Sequence, residues 1–321
     1  MSQPIHVFWN GDASRASALQ QFRQTLDRQR DVTVHDAGDL GTEVHSVLRS
    51  HADSDVRLVA AGGDGTVSAV AAAIVEQQAA RATLAVLPLG TGNDLARSLG
   101  MPLDLEEAFE VCRSGDTAAI DAIEATSAEG QRLVFNMATA GNTGRFVDSI
   151  DEDFKKQWGV FSYVRAGVMA LADLTPYELQ VEVDGRPLPR CEAINVFIAN
   201  GRSSGGGVQV APQASLSDGL LDYVIVLNGS IGRLTSLAAD YVMDRLLEND
   251  LIVHGQARSI TLKGSPPLKF STDGESVSTP LSRFSVRPRA LSAVVGPLVT
   301  ATPIGAPVSE VAEEFPLMAW S

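Results

Sequence analysis

Two glycine loops and a few carboxylates hold most of the chemistry open to this 321-residue chain. The first loop is Ala61-Gly62-Gly63-Asp64-Gly65-Thr66-Val67, entered directly from the apolar run Val56-Arg57-Leu58-Val59-Ala60. Glycine lacks a Cβ, so the backbone can take positive φ and approach closely, and several N–H groups can converge on one anion. Asp64 stands where a carboxylate could meet a metal or a nucleotide. Val67, Val70, Ala71 and Ile74 then recur at helical spacing, which makes the loop the start of a helix whose dipole favours phosphate. A plain strand-to-helix connection has the same pattern, and the glycines alone do not separate the two readings.

A second loop follows the strand-like run Leu84-Ala85-Val86-Leu87-Pro88, reading Leu89-Gly90-Thr91-Gly92-Asn93-Asp94 before a helix from Leu95. Two such loops leave neighbouring strands at one sheet edge, where open α/β sheets bind ligands. Thr91 and Asn93 offer uncharged hydrogen bonds, and Asp94 is placed to cap its helix. The chain has no Gly-Lys-Ser/Thr, so no P-loop lysine balances phosphate charge. Arg15 and Arg97 are the basic candidates near the loops, although both also read as ordinary surface arginines.

The elements that must hold these loops alternate strand and helix. Strands are expected at 5–9, 32–34, 56–60 and 84–88, and helices near 14–28, 40–49 and 105–113. Strands separated by helices imply a parallel, doubly wound sheet. Beyond residue 116 β-type runs dominate, at 118–125, 132–138, 177–183, 193–199, 221–226 and 259–262. Val183-Asp184-Gly185-Arg186 signals a hairpin, and helical spacing returns near 160–171 and 234–247. The expected organisation is an α/β domain at 1–117, a mainly β domain at 118–288 and a C-terminal extension at 289–321. The extension has few charges, ends in Phe315-Pro316-Leu317-Met318-Ala319-Trp320, and either packs on the first domain or reaches a membrane or partner.

Composition narrows the partners. A content of 45% hydrophobic and 20% charged residues is that of a folded protein. The two cysteines, Cys112 and Cys191, have no metal-ligand spacing, and no signal-peptide pattern precedes Pro4-Ile5-His6-Val7-Phe8-Trp9. No window approaches ~18 uninterrupted apolar residues, so a cytoplasmic protein is expected, peripheral to a membrane at most. The net charge of −14 disfavours nucleic acid, and any contact with an anionic lipid surface would need a local patch. Candidates are Lys155 and Lys156 beside Trp158, and Arg283, Arg287 and Arg289. The pattern leaves a homodimer open.

The pair Gly62-Gly63-Asp64-Gly65-Thr66-Val67 and Pro88-Leu89-Gly90-Thr91-Gly92-Asn93-Asp94-Leu95-Ala96-Arg97 resembles the diacylglycerol kinase catalytic family. That family includes diacylglycerol, sphingosine, ceramide and bacterial lipid kinases, and the resemblance covers roughly residues 4–288. A GGDG turn is also shared with NAD kinases and phosphofructokinases, but the second loop is similar to the lipid kinases only. The resemblance implies an N-terminal doubly wound nucleotide domain, a second domain like a β-sandwich, and an active site in the cleft between them. ATP and Mg²⁺ would be used, and the acceptor would be a lipid alcohol such as diacylglycerol.

Site residues follow from the same resemblance. Gly62, Gly63, Asp64, Gly65 and Thr66 would form the nucleotide-phosphate loop, with Gly90, Thr91, Gly92 and Asn93 beside it. The family's Asn-Pro-x-Ser-Gly turn becomes Asn10-Gly11-Asp12-Ala13-Ser14, which keeps Asn10 as a nucleotide contact and loses the proline. Asp121, in Ala119-Ile120-Asp121, is a third carboxylate, either a cofactor-binding residue partnered by Mg²⁺ or a cleft arginine, or an exposed edge residue. The run from Gly205-Gly206-Gly207 to Ser217-Asp218-Gly219-Leu220-Leu221-Asp222 resembles the family's cation-ordered turn. It makes Asp218 and the Leu220 carbonyl metal ligands, with Ser215 a third. In Thr272-Asp273-Gly274-Glu275, Asp273 would be the general base and Glu275 would bind Mg²⁺ or orient Asp273. Either Asp-Gly pair also suits a simple turn.

The acceptor is less legible. Asn136-Met137-Ala138-Thr139-Ala140-Gly141 resembles a family segment, after which Phe146, Phe154, Trp158, Phe161 and Tyr163 line either an apolar groove or core. His6, His35, His45, His51 and His254 form no recognisable cluster. The sequence therefore predicts an ATP-dependent lipid kinase. Its rivals are an NAD-kinase-like enzyme with a soluble acceptor and a catalytically silent nucleotide sensor.

Overall fold

The computed structural model describes residues 3–10, 17–128, 130–142, 174–243 and 245–297, except 37 and 39. Arg15, Lys155, Lys156, the aromatic residues from Phe146 to Tyr163, the helix expected at 160–171 and the chain from 298 onward lie outside the described residues.

The N-terminal half runs β1 (Ile5–Trp9), α1 (Ser17–Asp27), β2 (Val32–Asp36), α2 (Leu40–Ser50), β3 (Val56–Gly62), α3 (Asp64–Glu76), β4 (Ala82–Pro88), α4 (Asp94–Ser98) and α5 (Leu105–Ser114). Its strands lie in the order β2-β1-β3-β4, all parallel. β3 is buried along its whole length, as a strand covered on both faces must be. Val7, Phe8, Leu58 and Leu84 are fully buried in the core that this sheet shares with its helices. The sheet is the doubly wound one expected.

The second half is β-rich and mostly antiparallel. It comprises β5 (Thr117–Ser127), β6 (Gly130–Val134), β7 (Met137–Gly141), β8 (Tyr177–Val183), β9 (Arg186–Pro187), β10 (Cys191–Ala199), β11 (Ser203–Ser204), β12 (Val208–Gln209), β13 (Leu221–Leu227), α6 (Ile231–Val242), β14 (Ile252–Ala257), β15 (Ser259–Ser265), β16 (Phe270–Thr272), β17 (Glu275–Ser276) and β18 (Leu281–Val294). At the expected hairpin, Asp184 (φ 47°) and Gly185 (φ 78°) both take the left-handed conformation that a two-residue turn needs.

β18 joins the halves. Its first part pairs antiparallel with β5 and β15, and after a register shift between Arg287 and Leu291, Ser292 and Ala293 pair parallel with β4. The extension expected from 289 therefore begins inside a strand that completes the N-terminal parallel sheet. A second difference is the run 132–138, expected as one strand. The chain divides it into β6 and β7 at Phe135 and Asn136, for a reason found at the site.

Candidate functional site

Pairing of β3 with β4 in the register Gly62 to Pro88 sets the two glycine loops side by side. The Leu89 N–H donates to the Gly62 carbonyl at 3.0 Å. A Cβ on Gly90 would lie 2.4 Å from the Gly63 Cα, so this contact of backbone on backbone requires glycine. α3 begins at Asp64, three residues earlier than the apolar spacing alone suggested, which puts Asp64, Gly65 and Thr66 in its first turn. Gly63 has no side chain to cap that turn, and an uncapped N-terminus suits an incoming phosphate.

Asp64 is committed to the neighbouring loop. Its Oδ1 accepts the Asp94 N–H at 2.8 Å and its Oδ2 the Asn93 N–H at 3.0 Å. Burial, with the Asp94 charge adding to it, pushes the Asp64 carboxyl above the usual carboxylate range. Asn93 takes the left-handed conformation (φ 54°) and closes the loop on itself through two bonds to the Gly90 backbone. Asp94 is not the helix cap; it is the first residue of α4, and Asn93 precedes it as N-cap. The Asp94 carboxylate instead accepts the N–H groups of Gly206 and Gly207. Two aspartates thus tie three glycine segments together. Arg97, exposed, donates from Nε to the Gly92 carbonyl at 3.2 Å and lies against Gly207. Asn10 is brought to the first loop through Thr66, whose hydroxyl accepts from Asn10 Nδ2 at 2.9 Å. Thr91 is exposed at the mouth of the second loop.

Asp273 enters from the β-rich half, on a turn where it (φ 48°) and Gly274 (φ 86°) are left-handed. Its Oδ1 accepts the N–H groups of Asn136 (2.9 Å) and Met137 (3.0 Å), and its Oδ2 that of Phe135 (2.9 Å). The Ser68 hydroxyl of α3 donates to the same Oδ2 at 3.1 Å. These contacts explain the divided strand. Successive residues of a strand present opposite edges, so three consecutive N–H groups can meet one carboxylate only if the strand is interrupted. Burial raises the Asp273 carboxyl above its ordinary range, against the lowering effect of its four donors.

Glu275 reaches the first glycine loop. Its Oε1 lies 3.0 Å from the point where a Cβ on Gly65 would sit. Its Oε2 is 3.5 Å from Arg132 Nη1, which also donates to the Thr272 hydroxyl at 3.3 Å. Arg132 was not singled out in the sequence, because one arginine on a β-type run carries no signal.

The remaining carboxylates gather elsewhere. Asp121 is buried and accepts the N–H groups of Gly219 and Arg289, both at 2.7 Å, so its oxygens hold the 218–222 turn and β18. Asp218 accepts from the Leu220 N–H and from Gln256 Nε2, which also reaches Asp222. Burial, and then the neighbouring Asp121 charge, raise the Asp218 carboxyl, and burial pushes Asp222 up to about 7. Anionic oxygens crowded in this way fit a hard cation. Among the described residues, however, no group of three His, Cys, Asp or Glu could hold a metal ion, so Asp218 and the Leu220 carbonyl would need water to complete a shell. Ser215 Oγ accepts the Ser217 N–H at 3.4 Å.

Three of the histidines do come together. His6 and His35 are 2.9 Å apart through ring nitrogens, and the His51 ring centroid is 4.9 Å from that of His6. This cluster lies between the β1–β2 edge and α2.

A parallel sheet presenting two glycine loops, closed by a β-rich half that brings an Asp-Gly-Glu turn against them, defines a phosphoryl-transfer enzyme of the two-domain kinase class. Residues 4–125 match the family described as the diacylglycerol kinase catalytic domain, and residues 137–295 match the YegS C-terminal NAD kinase beta sandwich-like domain. A protein named “Probable lipid kinase YegS-like” from Enterobacter sp. (strain 638) is 34% identical over 292 residues, covering 88% of this chain and 94% of that one. Lipid kinase YegS of Escherichia coli (strain K12) is 29% identical over 288 residues, covering 88% and 92%. In fold, the chain is similar to a diacylglycerol kinase crystal structure from Bacillus anthracis str. Sterne, with a TM-score of 0.68 at 20% identity over 92% of this chain and 98% of that one. The chain belongs to the YegS-like lipid kinases of the diacylglycerol kinase catalytic family. Among the described residues no helix is long and apolar enough to cross a membrane.

Proposed function

We propose that this kinase transfers the γ-phosphoryl group of ATP to a hydroxyl of a diacylglycerol-like lipid, in the cleft where Glu275 meets Gly65. That one contact carries the reading, because it joins the turn expected to act on the acceptor to the loop expected to hold the phosphates. The uncapped first turn of α3 would receive the phosphates, with Thr91 and Asn93 beside them.

Asp273 would take the proton of the acceptor hydroxyl. Three of its four donors are backbone N–H groups fixed by the break between β6 and β7, and only the Ser68 hydroxyl can be exchanged. An acceptor alcohol donating to Oδ2 in place of Ser68 would sit on a carboxylate whose basicity burial has raised, which favours proton transfer. Glu275 would orient the approach from the other side of the turn. Asp218 and the Leu220 carbonyl, with Ser215 a weaker third, would hold a divalent cation that orders their turn, and magnesium arriving with ATP would supply positive charge at the phosphates.

The test is incubation with labelled ATP and a panel of diacylglycerol, sphingoid base, phosphatidylglycerol, NAD and sugars. Label in a lipid is expected. Label only in NAD would replace the lipid reading with a soluble-acceptor kinase, and ATP binding with no labelled acceptor would favour a sensor.

A further inference from the structure

We propose that Arg132 contacts the γ-phosphoryl group of the nucleotide and carries the positive charge that a P-loop lysine supplies elsewhere. The inference rests on the phosphoryl-transfer reading above and adds a residue to it. Phosphoryl transfer spreads negative charge over the equatorial oxygens, and that charge needs a cation beyond backbone N–H groups. The loops here supply the opposite. Asp64 and Asp94 are both acidic, and the chain has no Gly-Lys-Ser/Thr. Arg97 is turned to the Gly92 carbonyl and Gly207, beside the second loop rather than the first.

Arg132 stands opposite the first loop. Its Nη1 is 3.5 Å from the Glu275 carboxylate, whose other oxygen lies 3.0 Å from a Cβ position on Gly65, so one carboxylate separates the guanidinium from the helix N-terminus. The ion pair is open, with side-chain exposures of 42% and 61%. An exposed pair of this kind is held weakly, and the guanidinium can turn to another anion. Both protein contacts use Nη1, whereas the planar guanidinium has five N–H donors suited to paired phosphate oxygens. Glu275 would then steer Arg132 when no nucleotide is present and release it to the phosphate.

Calorimetric titration with ATP and ADP tests this without any acceptor. Arg132→Ala should bind ADP as the parent protein does and ATP about 10–100-fold more weakly, the loss expected for a hydrogen bond between charged groups. Arg132→Lys should fall between the two. Turnover of Arg132→Ala should drop roughly 10²–10³-fold. Adding Glu275→Gln to Arg132→Ala should not restore ATP affinity, because the missing contact is to phosphate. Equal weakening of ATP and ADP, restoration by Glu275→Gln, or turnover within about threefold of the parent would overturn the proposal. If the lipid panel fails while the ATP-specific loss persists, the acceptor reading falls and this one stands.

Discussion

Replacing Asp273 by Asn keeps the shape of the side chain and changes the donor count around it. In the better orientation the amide oxygen takes the place of Oδ1 and still accepts from Asn136 and Met137. The amide NH₂ then faces the Phe135 N–H, donor against donor, while the Ser68 hydroxyl can rotate to accept. The opposite orientation strands two N–H groups and is worse. One orphaned buried N–H costs about 1–3 kcal/mol, and two charge-assisted bonds that become neutral lose on the order of 1 kcal/mol each. Removing a buried carboxylate whose pKa is already raised returns part of this, leaving a net destabilisation of roughly 2–4 kcal/mol. Melting should then fall by about 3–6 °C. Turnover, measured well below both transitions, should fall roughly 10²–10⁴-fold. Ser68→Ala is the companion, since it keeps the three N–H bonds, costs about 1 kcal/mol and opens Oδ2 to the acceptor. Its turnover should stay within about threefold of the parent protein. An Asp273→Asn protein that melts like the parent would refute the hydrogen-bond reasoning, and one that turns over normally would remove the base. Loss of turnover in Ser68→Ala would show that the hydroxyl is not the exchangeable donor.

Further perturbations test the loops, the cation and the histidines. Gly90→Ala puts a Cβ 2.4 Å from the Gly63 Cα, where neither backbone can rotate away, so it should cost about 1–3 kcal/mol and weaken ATP; unchanged melting and nucleotide titrations would refute the contact. Asp218→Asn should raise several-fold the free Mg²⁺ needed for half-maximal turnover at fixed MgATP, and an unshifted curve would remove Asp218 as a ligand. His6 is lowered to about 4 by burial and by His35 and His51, against an ordinary 6.5. Between those values the unfolded chain binds the proton and the native chain does not, so stability is present above about pH 6.5 and is lost as pH falls toward 4. Solvent screening of this half-buried cluster limits the effect to on the order of 1–2 kcal/mol. His6→Thr should flatten melting temperature against pH between 7 and 5, and an unchanged slope would place the titration elsewhere.

How far the sequence could be read depended on how local each signal was. The bounds of β1 and the buried strands β3 and β4 came from contiguous apolar runs, and the glycine loops from adjacent residues. β18 was hidden by Arg283, Arg287, Pro288 and Arg289, which read as a polar break although they lie on exposed positions of a long strand. The histidine cluster needs the parallel pairing of β1 with β2 before His6 and His35 become neighbours. Asp273 meets Ser68 across 205 positions, a contact that no spacing rule could place.

The carboxylates make the same point about chemistry. Asp64, Asp121 and Asp273 read as groups that could face a metal, a nucleotide or an acceptor, and Asp94 as a helix cap. Each also accepts backbone N–H groups from a segment distant in sequence. A short ionised acceptor can draw two or three N–H groups into a curve that no regular element allows, and aspartate does so with few rotamers to restrict. These residues bend the chain so that the first turn of α3, the second loop and the Asp-Gly-Glu turn converge. The described residues of this frame are acidic, and Glu275 adds another negative group beside the first loop. A phosphate there needs positive charge facing it, and among the described residues Arg132 is the basic side chain paired with that carboxylate.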